Sequence, residues 1–195
     1  MVMPSSGPIS MAQAHAEFGL GYSLNAYYGC DAGVPTSGAI TLGHLYGKKK
    51  MPKYQYYKLF YLNSIYAGSY APGVAEIELR ATPGGPDLIT GVVGSSSPSG
   101  IPNAYAADNS TSTIWEGDSS STTSQFISLQ LGSQQAIKQI ALYIPSYYTS
   151  IGGFRLYASN SPGSDIYTAA AIGNGVVLGD YTVSNPVVGW NLINL

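Results

Sequence analysis

A mainly β, antiparallel sandwich preceded by a short helical segment is the fold class this sequence predicts, and three observations lead there. Short apolar-rich runs recur from Phe126 to Leu195, divided by clusters of Gly, Pro, Ser and Asn at the spacing usual for sandwich strands. No strand–helix–strand rhythm accompanies them, which disfavours a parallel sheet. Charged residues make up only 9% of the 195-residue chain, against about 25% in ordinary soluble domains, and Gly, Tyr, Ser and Thr take their place. The hydrophobic share of 45% is ordinary, so the chain can bury a core and is not disordered.

Taken in order, residues 1–50 hold an internal echo, "SSGPISMAQ" (Ser5–Gln13) and "TSGAITLGH" (Thr36–His44). Ser10 and Gln13 have capping-box spacing, which predicts a helix over "SMAQAHAEFG" ended by Gly19. Thr41 is placed to cap a turn or two over "LGHLYG", ended by Gly47. Helices this short need a neighbour to pack on, so the segment reads as a connector that docks elsewhere. In residues 54–81, Tyr57, Leu59 and Tyr61 alternate with Lys58, Phe60 and Leu62, and Val74, Ile77 and Leu79 interleave with Glu76, Glu78 and Arg80. These two runs, joined by "NSIYAGSYAPG", read as an antiparallel pair with a long loop. Residues 82–102, rich in Gly, Pro and Ser, are either a linker or a slack edge of the next unit. The strands expected beyond are Phe126–Gly132, Ile137–Ile144, Gly153–Ser159, Val176–Val183 and Gly189–Leu195. In the first, Ile127, Leu129 and Leu131 alternate with Phe126, Ser128 and Gln130, the pattern of a half-buried strand.

Composition also excludes function classes. Net charge is −2, and the basic cluster of Lys48, Lys49, Lys50 and Lys53 reads as a solvated linker rather than a nucleic-acid patch. Cys30 stands alone, so neither an intrachain disulfide nor a thiolate metal cluster is encoded. His15 and His44 lie in separate stretches, which argues against zinc. No apolar run approaches the roughly 20 residues of a membrane helix, and no secretory signal pattern is visible, so synthesis in a cytoplasm without membrane insertion is expected. The acids Asp87, Asp108, Glu116, Asp118, Asp165 and Asp180 are scattered, without the context of a glycosidase pair. Neither a nucleophile elbow nor a phosphate-cradling loop is present. The expectation is therefore a non-enzymatic protein.

Three stretches carry a likeness. "NAYAADNSTSTIW" (Asn103–Trp115), "FISLQLG" (Phe126–Gly132) and "GFRLYASNSPGS" (Gly153–Ser164), in this order, resemble the discoidin, or coagulation factor 5/8 type C, domain over roughly residues 86–195. The resemblance implies a galactose-binding-like jelly-roll sandwich. The usual Asp-Gly of the loop is Asp108-Asn109 here, and Asn tolerates the left-handed conformation such a turn needs. The family's closing "hydrophobic-Ala-Glu-hydrophobic-Glu" strand does not follow Trp190; it sits upstream as "GVAEIELRA" (Gly73–Ala81), preceded by "YYKLFYL". Either the sandwich is circularly permuted, with residues 54–81 supplying closing strands to a body spanning 51–195, or this is the remnant of a preceding copy. A lone hairpin is marginal in water, which favours permutation. "GPISMAQAHAEFG" and "SGAITLGHLYGK" resemble segments of tailed-bacteriophage virion proteins. Together the two likenesses imply a tail, baseplate or fibre protein, with other virion proteins and a host-surface glycan as partners and a threefold or sixfold homo-oligomeric state.

The same resemblance implies a structural Ca²⁺ in the acidic loop. Its ligands would be the Asp108 carboxylate, the Thr113 hydroxyl and carbonyl, the Tyr105, Ser110 and Ala75 carbonyls, and the Glu76 carboxylate. The alternative is that Asp108 closes a turn through its own backbone while Glu76 faces solvent. Trp115 follows the loop at the family's buried position and reads as a core plug rather than a ligand platform. Tyr147 and Tyr148 suit either a sugar face or a neighbouring subunit, as does Trp190. Arg155 either pairs with a carboxylate or points outward. The expected function is a virion structural protein, an adaptor or adhesin of a phage tail; the alternative is a free carbohydrate-binding module attached to a glycan-degrading enzyme.

Overall fold

The computed structural model describes residues 2–31, 34–48, 50, 52–60, 72–96, 101–117, 125–146, 151–162, 175–183 and 186–195, with the backbone of 61–64. The chain divides into two compact units, Met1–Pro52 and Lys53–Leu195.

In the first unit, helix α1 spans Met11–Phe18. The Ser10 hydroxyl accepts from the Gln13 N–H at 3.2 Å, and the Gln13 side chain accepts from the Ser10 N–H at 2.8 Å, so two otherwise orphaned donors are satisfied reciprocally. Gly19 ends the helix in the left-handed conformation at φ 67°. The echo repeats this chemistry as a 3-10 turn, Leu42–Leu45, where His44 Nδ1 accepts from the Thr41 N–H at 3.0 Å. Each echoed Gly also serves alike: Gly7 and Gly38 have φ 86° and 81°, and their carbonyls accept from the Tyr46 and Tyr28 hydroxyls respectively. The neighbour that the short helices need lies within the unit, where Met3, Ala14, Phe18, Tyr27, Val34 and Leu45 bury one another. Two members of the lysine cluster are tied to this unit by their backbones: the Lys48 carbonyl accepts from the Met3 N–H at 2.8 Å, and the Lys50 N–H donates to Glu17 Oε1 at 2.9 Å.

The second unit is mainly β, and every strand pairing in it is antiparallel. Its strands are β1 Tyr54–Ser64, β2 Gly73–Val74, β3 Glu76–Arg80, β4 Ile89–Ser95, β5 Trp115–Glu116, β6 Phe126–Gln135, β7 Gln139–Ile144, β8 Ile151–Ser159, β9 Val176–Thr182 and β10 Gly189–Asn194. They form a five-stranded sheet β4-β6-β1-β8-β9, a three-stranded sheet β10-β7-β3 and the short pair β2-β5. Tyr57, Leu59, Ile127, Leu129, Leu131 and Leu156 from the larger sheet meet Ile77, Leu79, Ile140, Leu142 and Ile144 from the smaller in one core, a layout consistent with a β-sandwich.

Two sequence expectations are corrected. The runs of residues 54–81 do not pair with each other. β1 lies at the centre of the larger sheet between β6 and β8, with both of its edges taken, while β3 pairs with β7 in the other sheet. The core draws on both strands, so placing one in each layer buries more apolar surface than a hairpin would. β6 is also not half-buried. Phe126 and Ser128, on the side away from the core, are covered too, and Phe126 clusters there with Tyr56, Phe60 and Tyr157 around the buried Lys58. The Lys58 ammonium lies 5.0 Å from the Phe126 ring centre and 5.6 Å from that of Phe60. Within residues 82–102, the slack-edge alternative is the one observed, since β4 pairs with β6 through two register shifts.

Gly153 sets how closely β9 approaches β8, because a Cβ there would come within 2.4 Å of the Tyr181 carbonyl oxygen. At Gly91 of β4 a Cβ meets nothing within 4 Å. Gly153→Ala is expected to lower the unfolding free energy by about 1–3 kcal/mol, whereas Gly91→Ala stays within about 0.5 kcal/mol of the parent. Urea denaturation of the two variants side by side checks the contrast.

Candidate functional site

The acidic loop follows a 3-10 turn, Asn103–Ala106, and leads into β5. Trp115 closes it from below, fully buried in the core with its indole N–H donating to Ser95 Oγ at 3.1 Å. Above this anchor the loop turns sharply at Asn109, whose φ of 61° makes it the one non-glycine residue with positive φ among the described residues. That is the left-handed position expected at Asp108-Asn109, and a short amide side chain holds it at modest cost.

Glu76 opens β3, where the register fixes its direction. Ile77 and Leu79 must face the core, opposite Leu142 and Ile140 of β7, so the alternating Glu76, Glu78 and Arg80 point away. Glu78 and Arg80 pair with each other. Glu76, at the loop end of the strand, is covered instead and only 2% exposed.

The loop brings its donors to these carboxylates. The Ser110 N–H lies 3.0 Å from Glu76 Oε2 and 3.0 Å from Asp108 Oδ1, so one amide is shared between two acids. The Thr113 hydroxyl contacts Asp108 Oδ2 at 2.8 Å and Oδ1 at 3.0 Å, and reaches the Ser110 carbonyl at 3.3 Å. Glu76 Oε1 is buried without a hydrogen-bond partner. Burial above all pushes the Glu76 carboxyl up to about 7; the Ser110 N–H opposes it, repulsion from Asp108 and Asp87 adds to it, and the Asn109 N–H opposes it slightly.

Of the expected ligands, Glu76, Asp108, Ser110 and Thr113 are thus joined by direct contacts. Ala75 is buried beside Glu76, with its N–H donating to the Tyr143 carbonyl at 2.9 Å, and Tyr105 packs partly buried against the core. The alternative in which Glu76 faces solvent does not hold. Asp108 does close its own turn, but through an amide that Glu76 also uses. Among the described residues no three His, Cys, Asp or Glu side chains converge, so the set has two carboxylates completed by hydroxyl and main-chain oxygens. An all-oxygen set with one orphaned carboxyl oxygen fits Ca²⁺ better than a transition metal.

The other candidate residues lie apart from the loop. Tyr147 and Tyr148 fall outside the described residues. Trp190 is 39% exposed on β10, edge-on to Tyr143 at 5.4 Å, with the Arg80 guanidinium 5.8 Å from its ring. It shares a cross-strand row with Tyr143 and Glu76, two strand spacings or roughly 10 Å from Glu76. Arg155 pairs with a carboxylate, meeting Asp180 through two N–H bonds of 2.6 and 2.8 Å on the exposed surface. Sequence reasoning left Asp87 among the scattered acids. The structure gives it a role, because its Oδ1 accepts from the Leu79 and Ile89 N–H groups at 2.9 and 3.2 Å and adds negative potential at Glu76. Comparison with protein-family models, curated proteins and solved structures finds no match for this chain.

A carboxyl whose folded pKa lies above its unfolded value stabilises the fold fully below the unfolded value and loses that contribution as pH rises through the folded one. For Glu76 the window runs from 4.5 to about 7. In chelator, the parent is therefore expected to lose about 2 kcal/mol more stability between about pH 5 and about pH 8 than Glu76→Gln does. Denaturant titrations of both proteins across that range read the difference directly.

Proposed function

We propose that the second unit is a discoidin-like, circularly permuted jelly-roll module whose rim loop is stapled by Ca²⁺, and that the chain is a non-enzymatic structural protein of a phage tail. The observation that carries this reading is the Ser110 amide held between the Glu76 and Asp108 carboxylates. Two acids sharing one donor, one of them with an orphaned buried oxygen, form a site left short of positive charge. A divalent cation would supply that charge and join β3 to a loop that follows it in sequence. Glu76 and Asp108 would provide the anionic oxygens, Thr113 its hydroxyl and carbonyl, and Ala75, Tyr105 and Ser110 their carbonyls. The order of the discoidin-like stretches supports the family assignment. The upstream position of "GVAEIELRA", which holds β2 and β3, supports the permutation.

The virion assignment rests on the N-terminal likeness, and in this reading residues 1–50 dock on other tail or baseplate proteins. A host glycan is met by Trp190 on β10 and by Tyr147 and Tyr148, and the assembly is a threefold or sixfold homo-oligomer. The competing reading is a free carbohydrate-binding module of a glycan-degrading enzyme. Such a module would bind glycan and be missing from purified particles.

At about pH 7.5, millimolar Ca²⁺ is expected to raise the melting temperature by about 3–6 °C. Asp108→Asn and Glu76→Gln should each remove most of that rise. Calorimetry with Ca²⁺, Mg²⁺ and chelator decides it, and an unchanged parent melt at about 10 mM Ca²⁺ overturns the staple. Peptide mass spectrometry of purified particles tests the tail assignment. A glycan array run with and without Ca²⁺ separates an adhesin from a purely structural component.

A further inference from the structure

An exposed sheet edge needs protection from other strands, and among the described residues three of the four edges of the two larger sheets have it. β3 carries Glu76, Glu78 and Arg80; β4 breaks register twice; β9 carries Asp180 and one register shift. The edge strand β10 has none of these defences. It pairs with β7 over six consecutive residues without a shift, and "VVGWNLINL" (Val187–Leu195) contains no ionisable side chain and no proline.

The phase of this ladder leaves its outer side open. The Leu195 N–H donates to the Lys138 carbonyl at 3.0 Å, so Ile193 and Asn191 also turn their backbone groups toward β7. By alternation, the N–H and C=O groups of Trp190, Leu192 and Asn194 point away from β7, where β10 has no other strand partner among the described residues. The same residues carry the exposed side chains. Trp190 is 39% exposed, and Leu192, Val187 and Val188 are each 57% exposed. These four residues expose on the order of 400 Å² of largely apolar surface, comparable to the largest patch of an ordinary monomer, which is often a functional one.

We propose that β10 pairs antiparallel with β10 of a second copy of this chain about a twofold axis, with each Trp190 opposite Leu192 of the other copy. The strand is its own complement. Pairing about Asn191 sets an aromatic against an aliphatic side chain twice, and it joins residues whose free backbone groups already face outward. With no charged side chain from Val187 to Leu195, like meets like without side-chain repulsion, and no side chain of the strand selects a charged partner instead. Closure about a twofold consumes both edges and joins the two small sheets into one of six strands. The buried total, roughly 800 Å², is below the usual range for stable complexes, so association falls in the micromolar range or weaker. This pairing uses neither the cation nor the tail assignment; it competes with a glycan for Trp190 and sets a twofold contact where the tail reading expects threefold or sixfold symmetry.

Sedimentation equilibrium from about 1 µM to about 500 µM tests it. The parent is expected to rise from 20.4 kDa toward twice that mass, and Leu192→Lys, which places a charge on the outward side of the edge, should weaken association by more than about tenfold. Near-UV circular dichroism and the melting temperature verify that the variant is folded; if it is not, Asn194→Lys makes the same test one pair further along. A constant 20.4 kDa at all concentrations, an open-ended size distribution, or a dimer that tolerates the lysine would overturn the proposal.

Discussion

The register of β3 on β7 is the constraint from which the rest of the candidate site follows. Ile77 and Leu79 complete the core only when they face Leu142 and Ile140. A period of two then obliges Glu76 to leave the core side at the end nearest the acidic loop. An acid fixed there and covered from solvent is unfavourable unless donors come to it. The left-handed turn at Asn109 delivers the Ser110 amide for this purpose, and buried Trp115 holds the turn in place. Packing therefore comes first and the electrostatics of the rim are its result.

Local chemistry was the most legible part of the chain. Ser10 with Gln13, and Gly19, are governed by neighbours a few residues away and were readable for that reason, while the Asp108-Asn109 turn came through the family likeness. Five strands from β6 onward matched their apolar patterns closely. Burial of Trp115 was also expected, through the likeness that sets a buried residue after the loop.

What escaped was set by partners distant in sequence. Alternation in residues 54–81 shows two strands without saying what each will pair with, and the nearest option, a hairpin, was not the one taken. Lys58 sits at an alternating position that suggests solvent, yet it is buried among aromatic rings supplied by β1 and β6. β4 was hidden in a Gly- and Ser-rich stretch because an edge strand with two irregularities needs little apolar content. The meeting of Glu76 with Asp108 was visible only through the family likeness, because no spacing rule joins positions so far apart.

The central placement of β1 has a consequence for how the chain acquires its shape. Every described residue that flanks this strand is written later: Phe60 rests on Phe126 and Arg155, and Gln55 is tied to Asn160, 105 positions on. As the polypeptide emerges from the ribosome, the first unit has its contacts within reach and can settle at once. The "YYKLFYL" segment must wait, apolar and unpaired, until both flanking strands have been made. Its lone lysine is then the charge that keeps this waiting stretch from finding the wrong company, before it is enclosed with the rest.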